Sequence, residues 1–305
     1  MKSESINVAG SYEFNLHSRT FQASASLSSN QVISSPPSSS RKQSVTKNKQ
    51  HSSPPRDDSP STIFDPANAP ETFYTKAKEY WSHVSPTVDG MLGGYASLNV
   101  PDIEDSHAFL EEYGPPTKAY ALDCGAGIGR VTKQLLLPRF TLVDMVEMTQ
   151  EFLDQVKEYV GEEDFQSIGE RFCAGLQDFY PPPGRYDLIW IQWVTGHLTD
   201  HALIAFLQRC AKGLCAGGVI VVKENVTKDN SLEASGAIFD ETDSSFTRSR
   251  AALVDIFKQA GLDLFGERLQ TNFPKSIFPV RMFALHPTRE VSEEPHQEGD
   301  LTPRA

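Results

Sequence analysis

The run Leu122-Asp-Cys-Gly-Ala-Gly-Ile-Gly-Arg130 decides how the rest of the chain is read. A short apolar stretch enters three glycines at alternate positions and leaves into a helical pattern. Glycine admits backbone conformations and close approaches that a Cβ forbids. A strand-to-helix turn of this kind lies at the switch point of a doubly wound sheet, where ligands bind. Both flanks fit: Ala119–Asp123 reads as a buried strand and Gly129–Leu137 as a helix stopped by Pro138.

Working outward, the two periodicities alternate. Strands are expected at Thr141–Val146, Arg171–Cys173, Tyr186–Trp193, Val219–Lys223, Leu262–Arg268 and Pro279–Leu285. Helices are expected at Thr149–Val160, His201–Leu214 and Arg248–Ala260, with a polar loop between Lys223 and Arg248. Such alternation requires right-handed crossovers and a mostly parallel sheet covered on both faces. Upstream, Glu71–Val84 and Pro101–Tyr113 read as helices around a glycine-bearing loop, Thr87–Tyr95. The expectation is one α/β domain over residues 68–288, a Rossmann-like seven-stranded sheet with an N-terminal helical extension.

The ends differ in composition. Residues 1–67 are rich in Ser and Pro and show no sustained period, so they bury too little apolar area to offset chain entropy. Disorder is expected there and in the polar tail 289–305; a transit peptide is the alternative for the leader, though Arg is sparse in it. No apolar run approaches the roughly 20 residues that cross a bilayer, so no membrane partner is expected. The four cysteines form no Cys-x-x-Cys pair and have no zinc-type spacing. No metal is expected, and reduced thiols suit a cytoplasmic or nuclear setting. Net charge is −12, with +2 on residues 1–70 and hence −14 on the remainder. A domain that acidic repels nucleic acid and suits a cationic partner.

The glycine spacing also separates two cofactor classes. Dinucleotide turns carry Gly-x-Gly-x-x-Gly under a pyrophosphate; here the order is Asp123-x-Gly-x-Gly-x-Gly. An acidic strand end suits an ammonium or sulfonium group, and Arg130 suits a carboxylate. Together they favour a methionine-like moiety. Glu147 closes the second strand, 22 residues after Gly125, where an acid receives ribose hydroxyls in nucleotide-binding α/β folds. Leu176 and Gln177 follow the third strand and are placed to read an adenine edge. Gln192 and Trp193 end the fourth and His197 follows it, where a reacting group would lie.

Further strings carry a resemblance: Lys76-Ala-Lys78, Tyr80-Trp81, Thr87-Val-Asp-Gly-Met-Leu-Gly-Gly-Tyr95, Gly175-Leu-Gln-Asp-Phe179, Trp190-Ile-Gln-Trp193, Gly196-His-Leu-Thr-Asp200, Val222-Lys-Glu-Asn225 and Asp243-Ser-Ser245. With the glycine turn, they resemble the eukaryotic α-N-terminal protein methyltransferases over about residues 70–286. The resemblance implies a class I fold dependent on S-adenosylmethionine. It also implies protein substrates that begin with Ala, Pro or Ser, then Pro, then Lys, once the initiator Met is removed. By motif, Gly125, Gly127, Arg130, Glu147, Met148, Thr149, Leu176, Gln177 and Gln192 would hold the cofactor. Trp81, Leu92, Trp193, Asn225, Asp240 and Ser245 would line the peptide channel, and His197 and Asp243 would deprotonate or orient the amine. Three departures stand out: the family often has Asp at the Glu147 position, the loop between Asn225 and Asp240 is longer here, and the Ser-rich leader has no counterpart. A methyltransferase of lysine side chains or small molecules, and an NAD-dependent oxidoreductase, are the competing readings.

Overall fold

The computed structural model describes residues 72–228 and 237–288. The expectations for the leader and the C-terminal tail lie outside the described residues. Five strands follow the glycine turn's logic: β1 (Tyr120–Cys124), β2 (Leu142–Glu147), β3 (Ile168–Cys173), β4 (Tyr186–Gln192) and β5 (Leu214–Asn225). A short hairpin, β6 (Ala237–Asp240) and β7 (Ser245–Arg248), precedes β8 (Leu262–Leu269) and β9 (Val280–Pro287). The main sheet has seven strands in the order β3-β2-β1-β4-β5-β9-β8, and β9 runs antiparallel to both of its neighbours.

Strands covered on both faces lose the in-out alternation, which is why β4 is apolar almost throughout and buried at every position. One face packs Leu122, Ile189, Ile220 and Phe283 against α6 (Asp200–Gly213) and α7 (Arg250–Gln259). The other packs Ala121, Leu188, Val221 and Met282 against Phe109 and Leu110 of α3 (Asn99–Tyr113). Each large apolar side chain buried this way contributes about 1.5–3 kcal/mol. Thr199 and Ser249 start α6 and α7 by accepting from Ala202 N and Ala252 N, caps worth about 1 kcal/mol each.

Two segments depart from expectation. Over Thr132–Leu136 the helix after the glycine turn is wound as a π-helix, with Leu137 N donating to Thr132 O at 2.9 Å. In that wide turn the Thr132 hydroxyl reaches Asp123 Oδ2 at 2.6 Å. The polar loop after β5 holds the β6–β7 hairpin, whose four-residue strands are too short to show a period. Its apolar residues pack on α1 (Phe73–Ser82): Phe73 stacks on Phe246 with centroids 5.2 Å apart. The helical extension is thereby fixed beside the C-terminal ends of the strands.

Candidate active site

A crevice of about 490 Å³ opens at the ends of β1 to β4. Gly125, Gly127 and Gly129 form its turn in left-handed conformations, with φ of +69°, +54° and +84°. A Cβ on Gly125 would stand 2.8 Å from the Val194 side chain, and one on Gly127 only 2.5 Å from Met91 Sδ. At Gly125 the contact excludes a side chain; at Gly127 the left-handed φ disfavours one, since the flexible Met91 side chain could shift. Glu147 faces the same space, its Oε2 accepting from Gly127 N at 3.0 Å and its Oε1 from Thr149 N at 2.9 Å. A carboxylate has about four acceptor positions, so capacity for a diol remains. Burial pushes Glu147 above the usual carboxylate range against the pull of those N–H groups. Burial likewise pushes Asp123 up to about 6, opposed by the Thr132 hydroxyl and Arg130.

Met148, Leu176 and Gln177 line the crevice as the sequence placed them. Thr149 does not: its backbone N–H stands behind Glu147 and holds that carboxylate. Arg209 of α6, not anticipated, donates to the carbonyls of Phe179, Leu176 and Gln177 at 2.7, 2.8 and 3.0 Å and so clamps the loop after β3. Arg130 and Gln192 also line the crevice, yet both are already engaged. Arg130 Nη1 donates to Asp102 Oδ2 at 2.7 Å and to Asn99 Oδ1 at 3.1 Å. Gln192 Nε2 donates to both Asp102 oxygens, while its Oε1 accepts from Trp190 Nε1 at 2.9 Å.

A second cavity of about 670 Å³ adjoins the first and contains Leu92, Asn225, Asp240, Asp243 and Ser245 in its lining. Trp81, Met91, Trp193 and His197 line both spaces and form the seam between them. Trp193 sits there at φ +52°, a conformation that costs a bulky residue on the order of 1–3 kcal/mol. Its indole N–H is buried without a hydrogen-bond partner. Trp81 Nε1 donates to His197 Nε2 at 3.0 Å, and His197 Nδ1 faces Ser244 O at 3.3 Å. Burial holds His197 below the ordinary histidine range, although Asp243 pulls the other way. Burial raises Asp243, whose Oδ1 accepts from Ser245 Oγ at 2.7 Å. The turn carrying His197 is gripped from both sides: Glu224 accepts from Thr195 N and Oγ1 at 3.1 and 2.8 Å, and Arg248 donates to the carbonyls of Thr195 and Leu198 at 2.9 and 2.6 Å. Among the described residues, no group of three or more His, Cys, Asp or Glu is placed to hold a metal ion. No described helix is long and apolar enough to cross a membrane.

The donor set fits a sulfonium nucleoside. Two carboxyls, one guanidinium and a bare glycine turn match a cationic centre, a diol and an amino-acid carboxylate better than a pyrophosphate. Sheet order and crevice together define a Rossmann-like methyltransferase of class I that depends on S-adenosylmethionine. Residues 69–286 match the family described as AdoMet dependent proline di-methyltransferase, and the chain belongs to that family. The N-terminal Xaa-Pro-Lys N-methyltransferase 1-A of Xenopus laevis is 50% identical over 219 residues, covering 70% of this chain and 95% of its own. The Alpha N-terminal protein methyltransferase 1 of Caenorhabditis elegans is 49% identical over 221 residues, covering 71% and 92%. A solved SAM-dependent methyltransferase of Leishmania major superposes with a TM-score of 0.66 at 34% identity, covering 74% of this chain and 87% of that one. The phosphoethanolamine N-methyltransferase 1 of Haemonchus contortus, at 17% identity and a TM-score of 0.57, shares the fold alone; the match covers 76% of this chain and 53% of that one. The oxidoreductase reading falls with these matches.

Proposed function

We propose that the chain transfers methyl groups to the α-amino group of protein N-termini that begin Ala, Pro or Ser, then Pro, then Lys. The observation that carries this reading is the shared seam: an amine reaching the inner end of the channel meets the crevice at Trp81, Trp193 and His197. The names of the Xenopus and nematode relatives support the substrate class.

When bound, S-adenosylmethionine supplies an electrophilic methyl on a sulfonium. The residues of the chain do the rest. Gly125 and Gly127 admit the cofactor to the backbone, Glu147 receives ribose hydroxyls, and Leu176, Gln177 and Met148 border the base. Arg130, with Gln192 beside it, meets the carboxylate end. Leu92, Trp81 and Trp193 wall the space for proline and exclude water, Asn225 and Ser245 border the peptide, and Asp240 pairs with the substrate lysine.

An α-amino group titrates near 7.7–8.0, whereas a lysine side chain titrates near 10.4. At cellular pH a sizeable share of the former is already neutral, so a weak base and an aligned lone pair suffice. We assign Asp243, raised by burial, to take that proton, and His197, neutral and with its Nε2 bonded to Trp81, to orient the amine at the seam. The test compares a Ser-Pro-Lys peptide bearing a free α-amine with the same peptide α-acetylated. Transfer to the free form alone is expected; equal transfer to both would move the target to the lysine side chain.

A further inference from the structure

Under the crevice, one carboxylate holds three donors, from Lys223, Arg130 and Gln192. Asp102 of α3 is fully buried, as is Lys223 of β5. Lys223 Nζ lies 2.5 Å from Asp102 Oδ1 and also donates to Asp102 O at 2.9 Å and Ser106 Oγ at 2.8 Å. The lysine and aspartate would satisfy one another alone. Yet Asp102 Oδ2 also pairs with Arg130 at 2.7 Å, and Gln192 Nε2 bridges both oxygens at 2.9 and 3.0 Å. Asp102 and Lys223 touch neither cavity, whereas Arg130 and Gln192 line the crevice.

The arrangement has two consequences. An arginine carries about 2 kcal/mol of rotamer entropy, and tying one nitrogen of its planar fork confines the remaining donors to few directions. Lys223 shares the Asp102 carboxylate with Arg130, so Arg130 is held without being fully neutralised by that one acid, and Asp123 in the crevice lining acts on it as well. Burial alone would raise Asp102, but Lys223 and Arg130 overcome it and hold the carboxyl below its usual range, so the anion persists.

We propose that Asp102 is a positioning residue for the cofactor: it fixes Arg130 and Gln192 so that the guanidinium meets the methionine carboxylate. The inference rests on the reading that Arg130 grips that carboxylate. It also gives the helical extension a role in cofactor binding, because Asp102 and Asn99, both bonded to Arg130, come from α3.

The test is calorimetry with two ligands, S-adenosylhomocysteine and its decarboxylated analogue. The double variant Asp102→Leu/Lys223→Met replaces the ion pair with apolar residues of similar size, an exchange that is often neutral or stabilising. Because Arg130 and Gln192 lose their buried acceptor, it should melt below the parent protein while staying folded, and bind the decarboxylated ligand as the parent does. Its affinity for S-adenosylhomocysteine should fall about tenfold or more, the size of one charge-assisted hydrogen bond. Unchanged affinity, or equal loss for both ligands, overturns the proposal. Should the double variant unfold, Asp102→Asn keeps the shape; it must lose part of the carboxylate preference, and full retention overturns the proposal. Arg130→Met separates the two layers. If it retains the preference, the Arg130 reading fails and the inference with it. If it loses the preference while the Asp102 variants keep it, the Asp102 inference alone fails.

Discussion

Trp81 Nε1 donates a hydrogen bond to His197 Nε2 at 3.0 Å, joining the N-terminal helix to the turn after β4. An indole can only donate, so Nε2 must accept and the ring proton sits on Nδ1, toward the Ser244 carbonyl. This fixes the tautomer and leaves Nε2 as the basic atom, covered by Trp81. Donation to that lone pair favours the neutral ring. Trp81→Phe should therefore raise the pKa of His197 while leaving the apolar wall in place. A proton NMR titration of the histidine rings checks this, and an unchanged or lower value would count against the pairing.

His197→Ala and Asp243→Ala should each reduce turnover by about 10²–10⁴, the range of a positioned acid or base. Cofactor affinity should change far less than turnover, since Glu147 and the glycine turn that receive the cofactor stay in place. Peptide kinetics with calorimetry separates the two effects. Turnover unchanged in both variants removes these residues from the mechanism.

Glu147→Ala should act in the opposite way. Deleting the acceptor strands the Gly127 and Thr149 N–H groups and removes the partner of the ribose hydroxyls. A loss of about 1–3 kcal/mol in binding S-adenosylhomocysteine is expected, with peptide KM nearly unchanged. Calorimetry showing no loss refutes the ribose role.

Asp123 gives a pH-dependent prediction. Its folded pKa, about 6, lies above the ordinary carboxyl value of 3.8, so the folded state binds this proton more tightly. Its contribution to stability is present below about 3.8 and lost as pH rises through about 6. The Thr132 hydroxyl offsets part of that loss by bonding the ionised form. Thr132→Val should lower the melting temperature more at pH 8 than at pH 5. An equal drop at both would show that the hydroxyl does not serve the carboxylate.

The parts of this fold that were legible were those whose residues repeat a period or punctuate one. The glycine turn, the buried runs of β4 and β5, and Glu147 at a strand end each carry a local signature. The β6–β7 hairpin does not, because Phe239 and Phe246 acquire an apolar environment only when Phe73 packs on them. Asp102 stands in the first turn of α3, where an acid suits the helix dipole without any partner, whereas its burial depends on Lys223, 121 residues away. The signal was a lysine within the apolar run of β5, where a charge needs a partner. Thr149 lay one step beyond Met148 in the motif, but its backbone serves Glu147 instead of the crevice.

The central claim is that the methyl goes to an α-amine. Fragment-ion mass spectrometry of an Ala-Pro-Lys peptide incubated with the protein and S-adenosylmethionine locates it directly. The account predicts whole methyl increments on the N-terminal residue and none on lysine. Methyl groups on the lysine side chain, or no transfer while the cofactor binds, would contradict it.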